Sequence, residues 1–572
     1  MSVVIKGLGV SEGLGIGRLL LLKPEVQPQE AFVDNVKVEL NKLSDAIYKS
    51  LVELQAIYSE KLEKLGEEKA QIFQAHIMIL KDPEWIKDIE AKIEAKKYEA
   101  QYSVHVSAEA MAQMFEQMDN EYFRERAHDI RDVARRIIRN LRGQEATDLS
   151  QAPKGTIVVA QDLTPSDTAQ LKPENISGIV TAIGGKTSHS AIIARTLGIP
   201  AVMGIGMNNF ESLTNQADAI INGQEGSLIL NPDAKERACA KRLVKELSAE
   251  KESLKSLIGQ STYTKNERQV ELAANIASPD DLKRVIENDA EGIGLFRSEF
   301  LFMDRNSAPS EEDQFKAYRS VLEGMNDKPV IIRTMDIGGD KEVSYLNMPK
   351  EMNPFLGYRA VRYCINEPQI FKIQMRALLR AGLYGNLKIM LPMISSVHEV
   401  RAVKEIIEGV KADLQAEGFP FNDSVPLGIM IEIPAAAIAS DLLAKEVDFF
   451  SIGTNDLIQY TIAVDRMNES IADLYTAYHP AVLRLIKMTI ENGHKAGIWV
   501  GMCGSVAGDL DLMPLLLGME LDEFSMSPAN ILKARKRALE IDTDSVKDHL
   551  DTVLSLATSE EVESYMKKNF PR

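Results

Sequence analysis

The chain of 572 residues predicts a multidomain α/β protein: a β/α unit interrupted by a helical bundle, a long linker helix and a C-terminal (β/α)8 barrel. Three observations carry this. The length exceeds what one hydrophobic core supports. The texture turns from glycine-rich and strand-like to wholly helical, then back to strand, turn and short helix from Gly155. After Ser261, eight apolar runs alternate with helical stretches, the pattern of a barrel of parallel strands.

The elements follow in order. Met1 to Leu22 has short apolar runs broken by glycines, Lys6, Glu12 and Arg18, and reads as a strand pair of a β-rich unit. From Gln29 to Arg142 the only glycine is Gly66 and the only proline Pro83. Leu40, Leu43, Ile47, Leu51, Leu54 and Ile57 recur there at helical spacing, so four or so long helices with a break at Asp82-Pro83 are expected. Strand runs return at 156–160, 178–182, 201–203 and 219–222. Residues 1–21 and 144–232 are thus expected to form one β/α domain, with 22–143 as a helical insertion. Residues 233–258 hold no glycine or proline and carry a charged helical pattern, giving a linker helix within 233–260. Residues 261–572 form the barrel, with strands at 270–275, 292–296, 330–334, 387–391, 427–432, 449–452, 498–502 and 523–526.

Composition excludes several classes of function. A net charge of −18 argues against nucleic acid or an anionic membrane as the main partner. Cys239, Cys364 and Cys503 are too widely spaced for a disulfide framework or a zinc site, which suits a reducing cytoplasm. The first 22 residues lack the apolar run of a signal peptide and the length of a membrane span, so no membrane insertion is expected.

The stretch Gly184-Gly185-Lys186-Thr187-Ser188-His189 reads as a glycine turn delivering a histidine to the start of a helix. Thr187 and Ser188 are good N-cap residues, and Ile192, Ile193, Thr196 and Leu197 continue the pattern until Gly198-Ile199-Pro200 ends it. Free backbone N–H groups and the positive end of the helix dipole make such a place favourable for phosphate. A neutral imidazole there is suited to attack phosphorus. A histidine there serves equally well as a cap or turn residue, and the local pattern does not separate the two.

Barrels of this kind react at the C-terminal ends of their strands. Arg297 ends the second strand, Arg333 the third, Glu432 the fifth, Asn455-Asp456 follow the sixth, and Cys503 ends the seventh. Arg359 and Arg466 fall in loops on the same face. Guanidinium forks suit phosphate and carboxylate oxygens. Glu432 and Asp456 are placed to share a hard cation, for which Mg2+ with substrate oxygens in its sphere is the natural choice. Each of these alone is as consistent with a structural ion pair. Together they ask for a small, polyanionic, magnesium-bound substrate. Cys239 and Cys364 are expected to be buried packing residues. Cys503, in an arginine-rich mouth, is expected to favour thiolate and to be able to transfer a proton.

These segments resemble the Enzyme I family of the bacterial phosphoenolpyruvate-dependent sugar phosphotransferase system over essentially the whole chain. The resemblance rests on Asp162-Leu-Thr-Pro-Ser-Asp-Thr168, Gly184 to His189, Gly294-Leu-Phe-Arg-Ser-Glu-Phe-Leu-Phe302, Asn353-Pro-Phe-Leu-Gly-Tyr-Arg359, Ser451-Ile-Gly-Thr-Asn-Asp456 and Gly501-Met-Cys-Gly504. The histidine and barrel motifs are shared with pyruvate phosphate dikinase and phosphoenolpyruvate synthase. No nucleotide-binding region precedes the histidine domain, which sets this chain apart from that alternative. Glu12 departs from a proline frequent in relatives, in the first strand pair.

The resemblance implies a swivelling phosphohistidine domain and a cytoplasmic homodimer through the barrel. It implies that His189 takes the phosphoryl group of phosphoenolpyruvate and passes it to a histidine of the carrier protein HPr. Arg297, Arg333, Arg466, Asn455 and Arg359 would then hold substrate, and Glu432 and Asp456 the Mg2+. Cys503 would protonate the enolate to pyruvate, and Thr168 would orient the histidine. The bundle, with Met78, Met111, Met114 and Met118, would dock HPr.

Overall fold

The computed structural model describes residues 2–571 except 23–26, 66, 117–120, 145–148, 169, 186–187, 304, 306, 339–342, 347 and 467. For residues 60–65, 67–72, 121–125, 128, 165, 166, 189, 192, 196, 247, 250, 251, 344 and 469 it describes the backbone alone. The chain divides into two units, residues 1–250 and 251–572.

The first unit is built on one eight-stranded sheet. Its strands are β1 (Val3–Lys6), β2 (Leu8–Ser11), β3 (Leu14–Leu21), β4 (Thr156–Ala160), β5 (Ile176–Thr181), β6 (Ala201–Met203), β7 (Asp218–Asn222) and β8 (Ser227–Leu230). Their order is β1-β8-β7-β3-β4-β5-β6-β2, so the first 21 residues give three strands rather than the expected pair. The Gly7 and Glu12-Gly13 breaks send β1 and β2 to opposite edges and bring β3 to the centre. The run β3-β4-β5-β6 is parallel and the remaining pairs are antiparallel. A Cβ on Gly17 would stand 1.8 Å from the Gly155 carbonyl oxygen, so only glycine lets β3 lie against the turn into β4. Alternation along the strands fills a core on each face. Val158, Ile179 and Met203 pack on one side, and Leu19, Ile157, Val159 and Ile221 on the other.

Between β3 and β4 the described residues form α1 (Val36–Leu65), α2 (Glu67–Leu80), α3 (Pro83–Lys96), α4 (Ala100–Glu116) and α5 (Glu121–Leu141), the long helices expected there. Asp82 caps α3 by accepting from the backbone N–H groups of Glu84 and Trp85, with Pro83 in the first turn. Trp85, Ile89, Val104, Ile130 and Ile137 share the core of these helices. Burying each such side chain contributes about 1.5–3 kcal/mol. Met78 and Met114 stand at the surface, Met111 packs against the core, and Met118 lies outside the described residues.

Three short helices follow, α6 (Pro165–Thr168), α7 (His189–Leu197) and α8 (Met207–Ser212), then the long α9 (Ala234–Lys255) at the expected linker position. The start of α9 is fixed to the sheet, where Arg237 pairs with Asp218 and bonds to the Pro232 carbonyl. Cys239 is exposed on α9, against the packing role expected for it, because this charged helix buries little of its surface; Cys364 is buried as expected.

The second unit closes eight parallel strands into a barrel. They are β9 (Glu271–Ile276), β10 (Gly292–Arg297), β11 (Val330–Arg333), β12 (Leu387–Leu391), β13 (Leu427–Ile431), β14 (Phe449–Ile452), β15 (Trp499–Met502) and β16 (Glu523–Met526). Each lies within two residues of the run read from the sequence. Leu295, Ile331, Met390, Met430, Phe449 and Cys503 meet inside, and a larger apolar shell joins the strands to the surrounding helices. Arg535 has no exposed surface and bonds to Leu257 O, Thr262 Oγ1 and Asp289, which clamps the chain entering the barrel. Removing one partner of such a buried ion pair costs about 3–5 kcal/mol. Among the described residues no helix is long and apolar enough to cross a membrane.

Candidate functional site

The barrel brings its strand-end charges together. Arg333 closes β11 and is 6 % exposed; its guanidinium bonds to Glu299, just past β10, and pairs with Asp336 at 3.1 Å. Arg359, in the loop before the helix Val361–Asn366, turns back to donate to Asp336 at 2.8 and 3.0 Å. It lies 3.6 Å from Asp456 and donates to the Tyr460 hydroxyl at 3.3 Å. Asp456, in the first turn of the helix Thr454–Ile462 that follows β14, accepts from Arg466 at 3.0 Å. The Phe355 ring lies under both Arg359 and Arg466. Asn455 accepts from the Ser505 N–H on its Oδ1 and from the Tyr475 hydroxyl on its carbonyl, which ties the loops after β14 and β15 and leaves its Nδ2 as a donor.

The cations in this mouth are not equivalent. Burial works against the charge on Arg333, but Glu299, Asp336 and Glu432 outweigh it and hold the guanidinium above its usual range. Asp336 and Asp456 do the same for buried Arg359. Arg297, at the end of β10, is shifted down by burial, which Glu299 only partly offsets and Arg333 reinforces. Its Nε is buried without a hydrogen-bond partner, while its guanidinium stacks on Phe300. A second anion beside Arg297 would relieve that deficit.

Glu432 follows β13, is 2 % exposed, and accepts the Met393 N–H at 2.6 Å. Burial, then the charges of Asp456 and Asp336, push its carboxyl up to about 8, against the pull of Arg333 and Arg359. Among the described residues no three His, Cys, Asp or Glu side chains gather into a metal cage. The pair Glu432 and Asp456 is instead a set of two hard donors whose mutual repulsion a divalent cation would relieve.

Cys503 corrects the sequence expectation of a thiolate. Burial pushes its thiol up to about 12; the Ser451 hydroxyl and Arg333 pull the other way, and Glu523 and Glu432 add to the rise. Cations nearby do not compensate for the loss of water around a side chain 5 % exposed. The group is a protonated thiol at neutral pH, suited to giving a proton rather than to nucleophilic attack.

The histidine segment belongs to the first unit. His189 is the first residue of α7, and Ser188 caps the helix by accepting from the Ala191 N–H. The imidazole of His189, and Lys186 and Thr187, lie outside the described residues. Gly198, at φ 65°, ends the helix by donating to Ala194 O and Arg195 O, where the sequence places the stop. The Ser190 hydroxyl donates to Asp162 at 2.9 Å. Thr168, buried at the end of α6, is carried by the same segment as Asp162.

Glu299, Asp336, Phe355 and Tyr460 were missed as functional residues by the sequence reading. Glu299 and Asp336 stand two and three residues beyond strand-ending arginines, and that spacing was the available signal.

Three family models match the chain: PEP-utilising enzyme, N-terminal, over residues 6–126; PEP-utilising enzyme, mobile domain, over 152–226; and PEP-utilising enzyme, PEP-binding domain, over 251–543. The chain is 47% identical over 571 residues to a phosphoenolpyruvate-protein phosphotransferase of Priestia megaterium, covering 100% of both chains. It is 48% identical over 567 residues to that of Geobacillus stearothermophilus, covering 99% of this chain and 98% of the relative. A solution structure of Enzyme I is 38% identical over 43% of this chain and 99% of its own, with a TM-score of 0.39.

Proposed function

Because the chain belongs to the phosphoenolpyruvate-protein phosphotransferases of the PEP-utilising enzyme family, we propose that it performs the first phosphoryl transfer of a sugar phosphotransferase system, through His189. The chain is an enzyme. In this reading phosphoenolpyruvate occupies the barrel mouth, its phosphate and carboxylate held by Arg297, Arg333 and Arg466 with the Asn455 amide, and Arg359 behind them. The observation that carries it is the half-buried, underneutralised Arg297, its Nε buried without a partner, beside the cluster of Arg333, Arg359, Asp336 and Asp456.

Glu432 and Asp456 are the residues that would hold Mg2+, with substrate oxygens and water completing its sphere. When bound, the ion would neutralise charge on the moving phosphoryl group. The protein's own groups do the rest. His189 attacks phosphorus in line, and the arginine forks fix the phosphate and hold its charge. The bond to the enol oxygen breaks, and the Cys503 thiol gives its proton to the enolate carbon to release pyruvate. Thr168 orients the imidazole before attack.

Phosphohistidine then passes its group to a histidine of the carrier HPr, for which the helices of 22–143 supply the dock, with Met78 and Met114 as adaptable apolar surface. Residues 1–21 and 144–232 act as the mobile carrier domain, 233–260 as its linker and 261–572 as the substrate-binding and dimerising barrel. The place of action is the cytoplasm.

The test is transfer of label from phosphoenolpyruvate carrying labelled phosphate, with Mg2+ and HPr. Label is expected on the protein, absent in His189→Ala, and passing to HPr. Label entering only from ATP would overturn the reading.

A further inference from the structure

Below Cys503 the barrel holds a second set of ionisable groups, buried Glu523 with half-buried Glu271 and Lys388, that the proposed phosphoryl transfer does not use. Glu523 on β16 lies beside Glu271 on β9, in direct register, with Lys388 of β12 facing both. Lys388 rests on the Trp499 ring, which stacks on Phe449 inside the barrel. Glu523 is 2 % exposed, and its Oε1 is buried without a hydrogen-bond partner. An unpartnered buried carboxyl oxygen is costly and calls for an explanation.

That oxygen points into a notch made by glycine. A Cβ on Gly294 would stand 2.2 Å from Glu523 Oε1 and 2.5 Å from Ser525 Oγ, so only glycine lets this carboxyl and this hydroxyl come together there. The Ser525 hydroxyl donates to Asn275 Oδ1 at 2.6 Å, and the Asn275 amide donates to the Cys503 carbonyl at 3.1 Å. Ser451, also fully buried, lies beside the Cys503 thiol. Bonded polar groups thus lead from Ser525, beside Glu523, through Asn275 to the end of β15, where Ser451 stands at the thiol. At the other side, Glu271, Lys388 and Trp499 are half-buried, which gives the base of the barrel contact with solvent.

We propose that Glu523 is the proton reservoir that recharges Cys503 after each turnover. The inference rests on the proposed role of Cys503 as donor to the enolate. When the thiol gives its proton to carbon, the S–H bond breaks, a C–H bond forms on the enolate electron pair, and a buried thiolate remains. The Glu523 O–H bond then breaks and S–H reforms, the proton passing by way of the Ser525 and Ser451 hydroxyls. Glu523, now a carboxylate, takes a proton from a solvent or buffer acid entering past Glu271 and Lys388. Each pyruvate consumes one solvent proton.

The groups facing Glu523 suit the task. Burial and the neighbouring Glu271 raise its carboxyl well above the usual range; Lys388 only partly opposes them and Asp522 adds to the rise. Burial and Glu271 thus favour the protonated, loaded acid. The buried thiol, also raised, recovers its proton readily. Glu523 acts through another residue and touches no substrate, so it is a positioning residue for the proton.

The test follows isotope exchange between pyruvate and phosphoenolpyruvate in D2O with the full chain and Mg2+. Carbon exchange between the two reports phosphoryl transfer. Deuterium entering the pyruvate methyl group reports reloading of the thiol from solvent. In Glu523→Gln the ratio of deuterium entry to carbon exchange is expected to fall by about tenfold, and added imidazolium buffer to restore it. Ser525→Ala is expected to lower the same ratio, and decides the matter if Glu523→Gln does not fold. An unchanged ratio in the folded variants overturns the reservoir. A wild-type protein that takes no label from phosphoenolpyruvate overturns the functional reading instead.

Discussion

Arg359 grips both carboxylate oxygens of Asp336, and both side chains are 2 % exposed. Because Asp336 also pairs with Arg333, one carboxylate sets the spacing of two guanidinium groups of the barrel mouth.

Replacing that carboxylate should therefore be felt in both stability and rate. Asp336→Ala leaves two buried cations short of charge and is expected to cost about 3–5 kcal/mol in urea unfolding. Asp336→Asn keeps the shape, and its kcat/KM for phosphoenolpyruvate is expected to fall about 100-fold because the arginines lose their common reference. Equal rates in wild type and Asp336→Asn would sink this account of the mouth.

Cys503 and Cys239 should separate cleanly under alkylation. With its thiol near 12, Cys503 stays protonated and buried at pH 8, whereas Cys239 is exposed. Iodoacetamide is expected to modify Cys239 alone in the folded protein and all three cysteines in denaturant, read by peptide mass. Cys503→Ala should lower kcat and kcat/KM together by about 100-fold or more, with affinity for phosphoenolpyruvate largely kept. Affinity lost in proportion to rate counts against a proton-donating thiol.

Glu432 predicts a pH effect of definite sign. Its carboxyl is raised from an ordinary 4.5 to about 8, so the folded protein prefers the protonated form. In EDTA its contribution to stability is full below about pH 4.5 and is lost as the pH rises through about 8. Mg2+ prefers the carboxylate, so its addition should raise the melting temperature more at pH 8 than at pH 6. Glu432→Gln should flatten the EDTA profile and remove the Mg2+ gain. A variant that still responds to Mg2+ as wild type does would refute Glu432 as a ligand.

The barrel strands were legible because each is a short β-branched or apolar run followed by a helical period, and that pattern is local. Arg297, Arg333, Glu432 and Asp456 were legible because strand ends in such a barrel are functional positions. The rest depends on what the fold brings near. Burial, more than any neighbouring charge, turns Cys503 from a thiolate into a loaded acid, and no run of residues around it records how little water reaches it. Glu299 and Asp336 look like ordinary loop acids until Arg333 and Arg359 fold over them. The placing of β1 and β2 on opposite edges is likewise decided by partners more than 180 residues away.

The bond from Ser190 to Asp162 bears on how the histidine, if it travels as proposed, keeps its aim. It fastens the first turn of α7 to the segment that carries Thr168, so in the proposed reaction the His189 nucleophile and the Thr168 hydroxyl that orients it would ride as cargo on one piece. The entropy of lining them up is spent once, when the domain folds, and not again at each visit to a donor or an acceptor.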